Sequence, residues 1–378
     1  MGIKNINQFL KDILGENVSI CFLEKYDLSN LKGFRIAIDA ANWCITAIAD
    51  GVHDTTYRTV DIIEEELDRN VIMNKFYKKF LDFNIMLLQT DITPVWCWDG
   101  TAHKEKGPER EKRRADRKKK QDDIDALKEE IKKVPMYLRN VKNLGMVPDE
   151  QKEIALKYQS MVSDLRKKMS TQVGMSYDEM DMVKNLASSL GLPSITADHE
   201  GEMLCAQLAM QGKVAAVWSS DTDNYAMGTP FLITGLNGFG PGKVPMVKAV
   251  ILPYIIAFLG ITQAEMRELC ILCGTDYNTN IKNYGPNKAF KLLQKHKCIE
   301  CIRDEAKLDI TCLNHEICRD YFTPKPIDLE KLDLHVNGNQ FMVTGKDILD
   351  QYCIDEKYYK ELEKIMKPKI RQAEFKIL

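Results

Sequence analysis

At 378 residues the chain is long enough for one large or two ordinary domains with a real core. Its hydrophobic fraction of 44% fits a soluble globular protein, and the longest apolar run, around Val250 to Gly260, is interrupted by Pro253 and too short to span a bilayer. The formal net charge of -2 hides a local asymmetry: Lys104 to Lys120 holds ten Lys/Arg against four Asp/Glu, which argues for a polyanion partner. Eleven cysteines without a secretory signal read as reduced thiols of a nuclear or cytoplasmic protein. Met1-Gly2 opens as an acylated chain does, but position 6 is Ile6 rather than Ser or Thr.

In chain order, residues 3–14 predict an amphipathic helix with Ile3, Ile6, Phe9, Leu10, Ile13 and Leu14 on one stripe. Arg35 to Ile38 is a short buried strand ending at Asp39, and a helix follows through Trp43 to Ile48. Residues 71–88 are helical. Pro94 to Trp98 is a second strand, again ending on an acid, Asp99. Gly107-Pro108 fits a helix start, so 109–132 is expected to be one long charged helix. Residues 121–178 are polar and helical in pattern, with no independent core, and read as an inserted excursion. A helix from Tyr177 to Leu190 ends at Gly191, a good C-cap residue.

The most informative stretch runs from Asp198 to Asp223. Val214 to Trp218 is short, apolar and bounded by Gly212 and a Ser-Ser pair, so it reads as a strand buried on both faces. Glu200 and Glu202 precede it on a helix start, and Asp221 and Asp223 follow it. Ligands collect outside the carboxyl ends of strands in open α/β sheets, so these acids are expected at one place. Crowded carboxylates resist ionising unless a cation compensates, and hard oxygen ligands suit Mg²⁺ or Mn²⁺. Beyond Asp223, Phe231 to Leu236 and Lys243 to Val247 predict a hairpin. Its glycines are not a phosphate loop, because Gly242-Lys243 is followed by Val244. Residues 251–273 are apolar and helical. They lead into Gly274-Thr275-Asp276-Tyr277 and Gly285-Pro286-Asn287-Lys288, a helix–turn–helix whose second N-terminus would attract phosphate. Cys270 and Cys273 read as core. Cys298 and Cys301, with His296, Cys312 and His315 nearby, raise zinc, but the spacing is irregular and reads as ordinary thiols.

These blocks, in this order, resemble the flap endonuclease/XPG-type family of structure-specific 5′-nucleases. The resemblance rests on Met1-Gly2-Ile3, Ile38-Asp39-Ala40, Trp98-Asp99-Gly100, Glu200-Gly201-Glu202, Asp221-Thr222-Asp223, Cys270 to Tyr277 and Gly285 to Ala289, and covers most of the chain. It implies an α/β fold with a central, mostly parallel sheet flanked by helices (the PIN-like nuclease fold), a helical arch insertion and a helix–two-turn–helix at 276–296. The implied organisation is one composite catalytic domain: 1–120, the arch or insertion at 121–178, and 179–378. By resemblance Asp39, Asp99, Glu200, Glu202, Asp221, Asp223 and Asp276 surround two Mg²⁺ ions, with Mn²⁺ able to substitute. Asp39, Asp99 and Glu202 are assigned nearer one ion and Asp221 and Asp223 nearer the other. The arch residues map to Lys106 and Arg113, seven apart and so on one helix face. Candidate DNA contacts are Gly2, Lys104, Lys112, Arg114, Lys282, Gly285 and Lys288, and K⁺ is expected at the helix–two-turn–helix loop. Two metals about 3.5–4 Å apart would activate a water and stabilise the leaving oxygen in an in-line attack on phosphorus.

The chain departs from the family at several places. Asn283 stands where the family has Gly, which puts the potassium loop in doubt. Gly107-Pro108 follows Lys106 directly, which makes Lys104 and Lys112 competitors for its role. Ile45 replaces a stacking Tyr, leaving Trp43 as the nearest aromatic. Residues 372–378 lack the aromatic pair of a sliding-clamp box, and the short tail and missing box would suit a viral copy. The implied activity is Mg²⁺-dependent cleavage of DNA at 5′ flaps or branched junctions by a monomer. A 5′→3′ exonuclease, a Holliday-junction resolvase and an inactive DNA-binding relative are the alternatives. An RNA-directed nuclease is disfavoured by the duplex-type element at 276–296.

Overall fold

The structure, a computed structural model, describes residues 2–101, 107–139, 148–238, 244–328, 330 and 332–374. Its centre is a seven-stranded sheet made of β1 (Phe22–Asp27), β2 (Arg35–Asp39), β3 (Thr93–Trp98), β4 (Ser194–Thr196), β5 (Ala216–Trp218), β6 (Phe231–Leu236) and β7 (Met246–Ile251). The strand order is β1-β7-β6-β5-β2-β3-β4. Pairings from β6 through β4 are parallel, and β7 is antiparallel to both β6 and β1.

Side chains alternate across the three central strands. Ile36, Ile38, Trp96, Trp98, Ala216 and Trp218 enter one core, while Ala37, Val95, Cys97 and Val217 enter the other. Both faces are covered by helices, which is why these strands read as unbroken apolar runs. Register fixes what happens at their ends. Ile38 lies level with Trp218 and Asp39 with Cys97, so Asp39 reaches the edge beside Ser219 and two residues short of Asp99.

The sequence expectations meet the structure unevenly. The first helix is Ile6–Leu14, and Ile13 is exposed at 41% instead of joining the stripe. The helix after Asp39 continues to Arg58, and the next spans Arg69–Gln89. Strands β1 and β4 are additional to the predicted set. The second hairpin strand is Met246–Ile251, displaced from the expected 243–247 because Val247, Ala249 and Val250 pair on both sides, with β6 and β1. The expected helical run 251–273 is two helices, Leu252–Leu259 and Gln263–Cys273. They are parted by Gly260 at φ 63 and restarted by a capping box between Thr262 and Glu265.

The long charged helix is Gly107–Lys132, and a second, Asp149–Ser170, packs against it. The sequence reading gave this excursion no independent core, and the small core these helices carry is shared with an earlier segment. Ile124 and Ile131 pack with Met161, Leu165 and Met169 and with Ile62 and Ile63 from the segment before Arg69. The apolar residues recur once per turn or two in a charged run, and their partners lie some sixty residues earlier, which hid the pattern. Arg166 ties the excursion down by donating to the carbonyls of Thr56 and Thr59, the latter at 2.9 Å. These carbonyls end the helix Ala40–Arg58, where a guanidinium both fills orphan acceptors and opposes the dipole.

Candidate metal centre and nucleic-acid interface

Four acids sit just past the carboxyl ends of three adjacent parallel strands. Asp39 closes β2 and caps the next helix: Oδ1 accepts the backbone N–H of Asn42 at 3.1 Å, and Oδ2 accepts the Ser219 hydroxyl at 2.8 Å. Asp99, exposed just beyond β3, accepts the N–H of Gly201 at 2.7 Å. Beyond β5, the Ser219 hydroxyl accepts the N–H of Asp221, and Asp221 accepts the N–H of Asp223, both at 3.1 Å. Ser219 therefore links the ends of β2 and β5. The sequence marked it only as a strand boundary, and nothing but strand register could have revealed its role.

One carboxylate oxygen each from Glu202, Asp221 and Asp223 lies within 4.8 Å of the others, and all three residues are buried. Glu202 thus clusters with Asp221 and Asp223; the sequence assignment had placed it nearer the ion of Asp39 and Asp99. Its helix, Gly201–Met210, starts close against β3: a Cβ at Gly201 would sit 2.6 Å from the Cys97 carbonyl oxygen. Only glycine lets that helix start approach the strand, and the approach carries Glu202 inward. Glu200 is half-buried and lines a cleft of about 870 Å³ with His199, Met203, Asp320 and Lys325. Asp276 is ion-paired with Arg113 of the charged helix.

The chain's beginning belongs to the site. Ile3 donates its N–H to the Thr222 hydroxyl at 2.8 Å. Gly2, read from sequence as a DNA contact, is pressed against the acids. It has φ +89, and a Cβ there would lie 2.1 Å from Asp221 Oδ1 and 2.6 Å from Thr222 Oγ1. A Gly2→Ala variant is therefore expected to fold normally by circular dichroism but to displace Asp221. Its single-turnover cleavage should fall roughly a hundredfold, the scale of an ångström's misplacement. Wild-type turnover by the variant would show that the contact is immaterial.

The donor set fits a hard divalent cation: clustered carboxylate oxygens, with neither thiolate nor imidazole among them. The electrostatics agree. Burial, then the charge of Asp99, push the Asp39 carboxyl up to about 7 against the pull of its hydrogen bonds from Asn42 and Ser219, with Asp221 pushing the same way. Because the folded state holds this proton more tightly than the unfolded chain, the associated stability is present in acid and is lost as pH rises through about 7. A cation must displace the proton. Mg²⁺ affinity is accordingly expected to rise from about pH 6 to pH 8 with net proton release at the acid end, measurable by calorimetry in buffers of different ionisation enthalpy. Affinity flat across that range would contradict it.

Of the remaining sequence candidates, Lys112 and Arg114 are exposed on the charged helix, and Lys104 and Lys106 lie outside the described residues. Lys282, Gly285 and Lys288 are exposed around the turn before the helix Pro286–His296. Asn283 takes φ 68, the left-handed conformation asparagine tolerates, so a residue other than glycine still makes this turn. Asn280 braces it, donating to the Tyr284 carbonyl at 2.9 Å. Trp43 is not a surface aromatic. It is buried among Phe76, Phe80, Phe83 and Trp96. Among the described residues, Cys298, Cys301, His296, Cys312 and His315 do not converge as a metal group. Of residues 372–378, where the sequence lacks a clamp box, 375–378 lie outside the described ones.

Two family signatures coincide with this geometry. The XPG N-terminal domain matches residues 1–120 and the XPG I-region residues 191–276, together more than half of the chain. The chain belongs to the XPG/flap endonuclease family. Flap endonuclease 1 of Lodderomyces elongisporus is 30% identical over 302 residues, covering 80% of this chain and 68% of that protein. Flap endonuclease 1 of Cryptosporidium muris is 28% identical over 313 residues, 81% of this chain but 58% of the relative's length. In three dimensions the chain shares its fold with flap endonuclease-1 from Methanococcus jannaschii (TM-score 0.58, 22% identity, 94% of this chain and 99% of that one). It also shares the fold of the catalytic core of Rad2 in complex with DNA substrate (TM-score 0.59, 17% identity, 97% and 99%). No helix among the described residues is long and apolar enough to cross a membrane.

Proposed function

We propose that this chain is a metal-dependent, structure-specific 5′-nuclease that hydrolyses DNA phosphodiesters at 5′ flaps or other single-strand/duplex junctions in replication, repair or recombination. The observation carrying this reading is the convergence of Glu202, Asp221 and Asp223 at the carboxyl edge of the sheet, with Gly2 packed against them. Asp39, Asp99, Glu200, Glu202, Asp221, Asp223 and Asp276 are the residues to hold two Mg²⁺, or Mn²⁺ in their place. Bound there, the ions supply Lewis-acid activation of water and charge neutralisation at the leaving oxygen.

The chain's own contribution is position. Ser219 and Asn42 hold Asp39, and the Gly201 amide holds Asp99, so these carboxylates need no reorganisation when substrate arrives. Arg113 reaches the acids through Asp276, where its guanidinium can exchange a carboxylate for the oxygens of an incoming phosphate. Lys112 and Arg114 face the single strand, and the resemblance assigns Lys104 and Lys106, outside the described residues, to the same strand. Lys282, Gly285 and Lys288 face the duplex backbone, with K⁺ in the turn around Asn283. We read the chain as one composite catalytic domain that uses the 121–178 excursion as its arch and acts as a monomer on DNA. All eleven cysteines are free thiols, which suits a nuclear or cytoplasmic setting.

Arg113→Ala is expected to slow cleavage far more than Lys106→Ala, because Arg113 lies inside the helix that begins at Gly107 and is already docked on the acids. Removing one such charge-stabilising group costs roughly a hundredfold or more. Single-turnover rates of the two variants compare them directly; equal losses would place Lys106 in the site as well. Cleavage of 5′-end-labelled flaps, nicks, gaps and four-way junctions with Mg²⁺ or EDTA tests the proposal and separates flap incision from exonuclease or resolvase activity. Undiminished cleavage in EDTA would overturn the metal assignment.

A further inference from the structure

The proposed nuclease chemistry makes no use of Cys298 and Cys301, set three apart just after the helix Pro286–His296. Cys298 is the N-cap of the helix Ile299–Ala306, in an extended conformation (φ -146, ψ 162), and its Sγ accepts the backbone N–H of Cys301 at 3.3 Å. An N-cap side chain folded back over the third helical residue brings the two thiols together, and their sulfurs lie 2.8 Å apart. Cys97 and Cys205 also adjoin, but both are sealed in the core, whereas Cys298 and Cys301 are half-exposed. Both thiols are therefore reachable from solvent, close together, and at a helix start.

We propose that Cys298 and Cys301 are a modification site, forming a reversible intramolecular disulfide by exchange with a low-molecular-weight disulfide of the glutathione class. Cys298 is the attacking group. Its Sγ caps the helix and accepts the Cys301 amide N–H, so it sits at the exposed helix start. The Cys301 thiol is pushed up to about 11 by its hydrogen bond with Cys298, by burial, and by the nearby charges of Glu305 and Asp304. The Cys298 thiolate attacks one sulfur of oxidised glutathione; a mixed disulfide forms, the glutathione S–S bond breaks, and one glutathione leaves as thiolate. Cys301 then loses its proton to solvent and attacks Cys298 Sγ; the mixed bond breaks and the second glutathione leaves. Two protein thiols are oxidised, one disulfide is reduced to two thiols, and the two protons end on glutathione.

Closure asks little of the fold. Glu300, between the two cysteines, pairs with Arg319, which also grips Glu268 of the helix Gln263–Cys273. Ile299 donates its N–H to the same Glu268 at 3.2 Å. The segment is thus already pinned with its sulfurs side by side.

The test is peptide mapping by mass spectrometry after the full-length protein meets excess oxidised glutathione and residual thiols are blocked with N-ethylmaleimide. The expected product is a peptide spanning 298–301 that has lost two hydrogens, carries no maleimide and regains both thiols with dithiothreitol, while circular dichroism is unchanged. Replacing Cys312 and Cys353, the exposed cysteines, with serine should leave that product intact. Cys301→Ser should halt at a glutathione adduct on Cys298. Cys298 and Cys301 both labelled as fully as in untreated protein, or the lost hydrogens mapping to another pair, would overturn the proposal. An adduct on wild-type Cys298 that never resolves would also overturn it. None of these readouts depends on nuclease activity.

Discussion

Asp221→Ala is expected to abolish measurable cleavage, a loss of at least about a thousandfold, while leaving DNA binding within a few-fold of wild type. Asp221 supplies one of the three clustered oxygens, shapes the turn to Asp223 through its hydrogen bond, and adds to the field on Asp39. Its loss removes a ligand and loosens a neighbouring one. The proposed duplex and single-strand contacts lie elsewhere, on the charged helix and around the turn at 282–288, so affinity is expected to survive. Stability should move the opposite way. In the metal-free protein Asp221 is buried among like charges, and its removal relieves repulsion. In EDTA near neutral pH the variant is expected to melt no lower than wild type, and in Mg²⁺ wild type should gain more than the variant. A variant that cleaves at a tenth of the wild-type rate, or that gains as much stability from Mg²⁺, would remove Asp221 from the metal set.

The second large effect concerns substrate form. A 5′ flap is expected to be cut roughly a hundredfold or more faster than blunt duplex or free single strand of the same sequence. Two separate surfaces motivate this. The helix Gly107–Lys132 exposes Arg110, Lys112, Arg114 and Arg117 to Lys120, a strip suited to a single strand. The turn before Pro286–His296 exposes Lys282, Gly285 and Lys288, suited to duplex phosphates. Contacts of both kinds go to backbone and position without reading bases. A flap engages both surfaces at once, whereas duplex or single strand engages one and leaves the phosphate misplaced. Binding should also weaken steeply with salt as counterions are released. Rates within threefold across the three substrates would disprove simultaneous engagement.

Much of the catalytic edge was legible because β2, β3 and β5 are apolar runs stopped by acids, a pattern needing only local sequence. What escaped was set by distance along the chain. Ser219 joins Asp39 only through the register of β2 with β5. Arg113 and Asp276 are separated by 163 residues, and nothing local pairs them. Strand β4 has three residues and depends on β3 for its pairing, and β1 carries Glu24 and Lys25 in mid-strand, so neither shows an apolar run. The excursion's core escaped because it is completed by Ile62 and Ile63, which lie well before the excursion. At Asn283 a departure from the family's glycine suggested an altered loop. Asparagine reaches φ 68 without a break in the turn.

Mapping the incision site on a set of 5′ flaps of one fixed sequence, in which the junction is moved along the strand one nucleotide at a time, tests the central claim most directly. In Mg²⁺ the cut is expected to move with the junction, staying at a constant distance from it whatever base lies there, and to vanish in EDTA. A cut that stays with a particular base sequence while the junction moves would contradict a site that positions backbone against clustered acids.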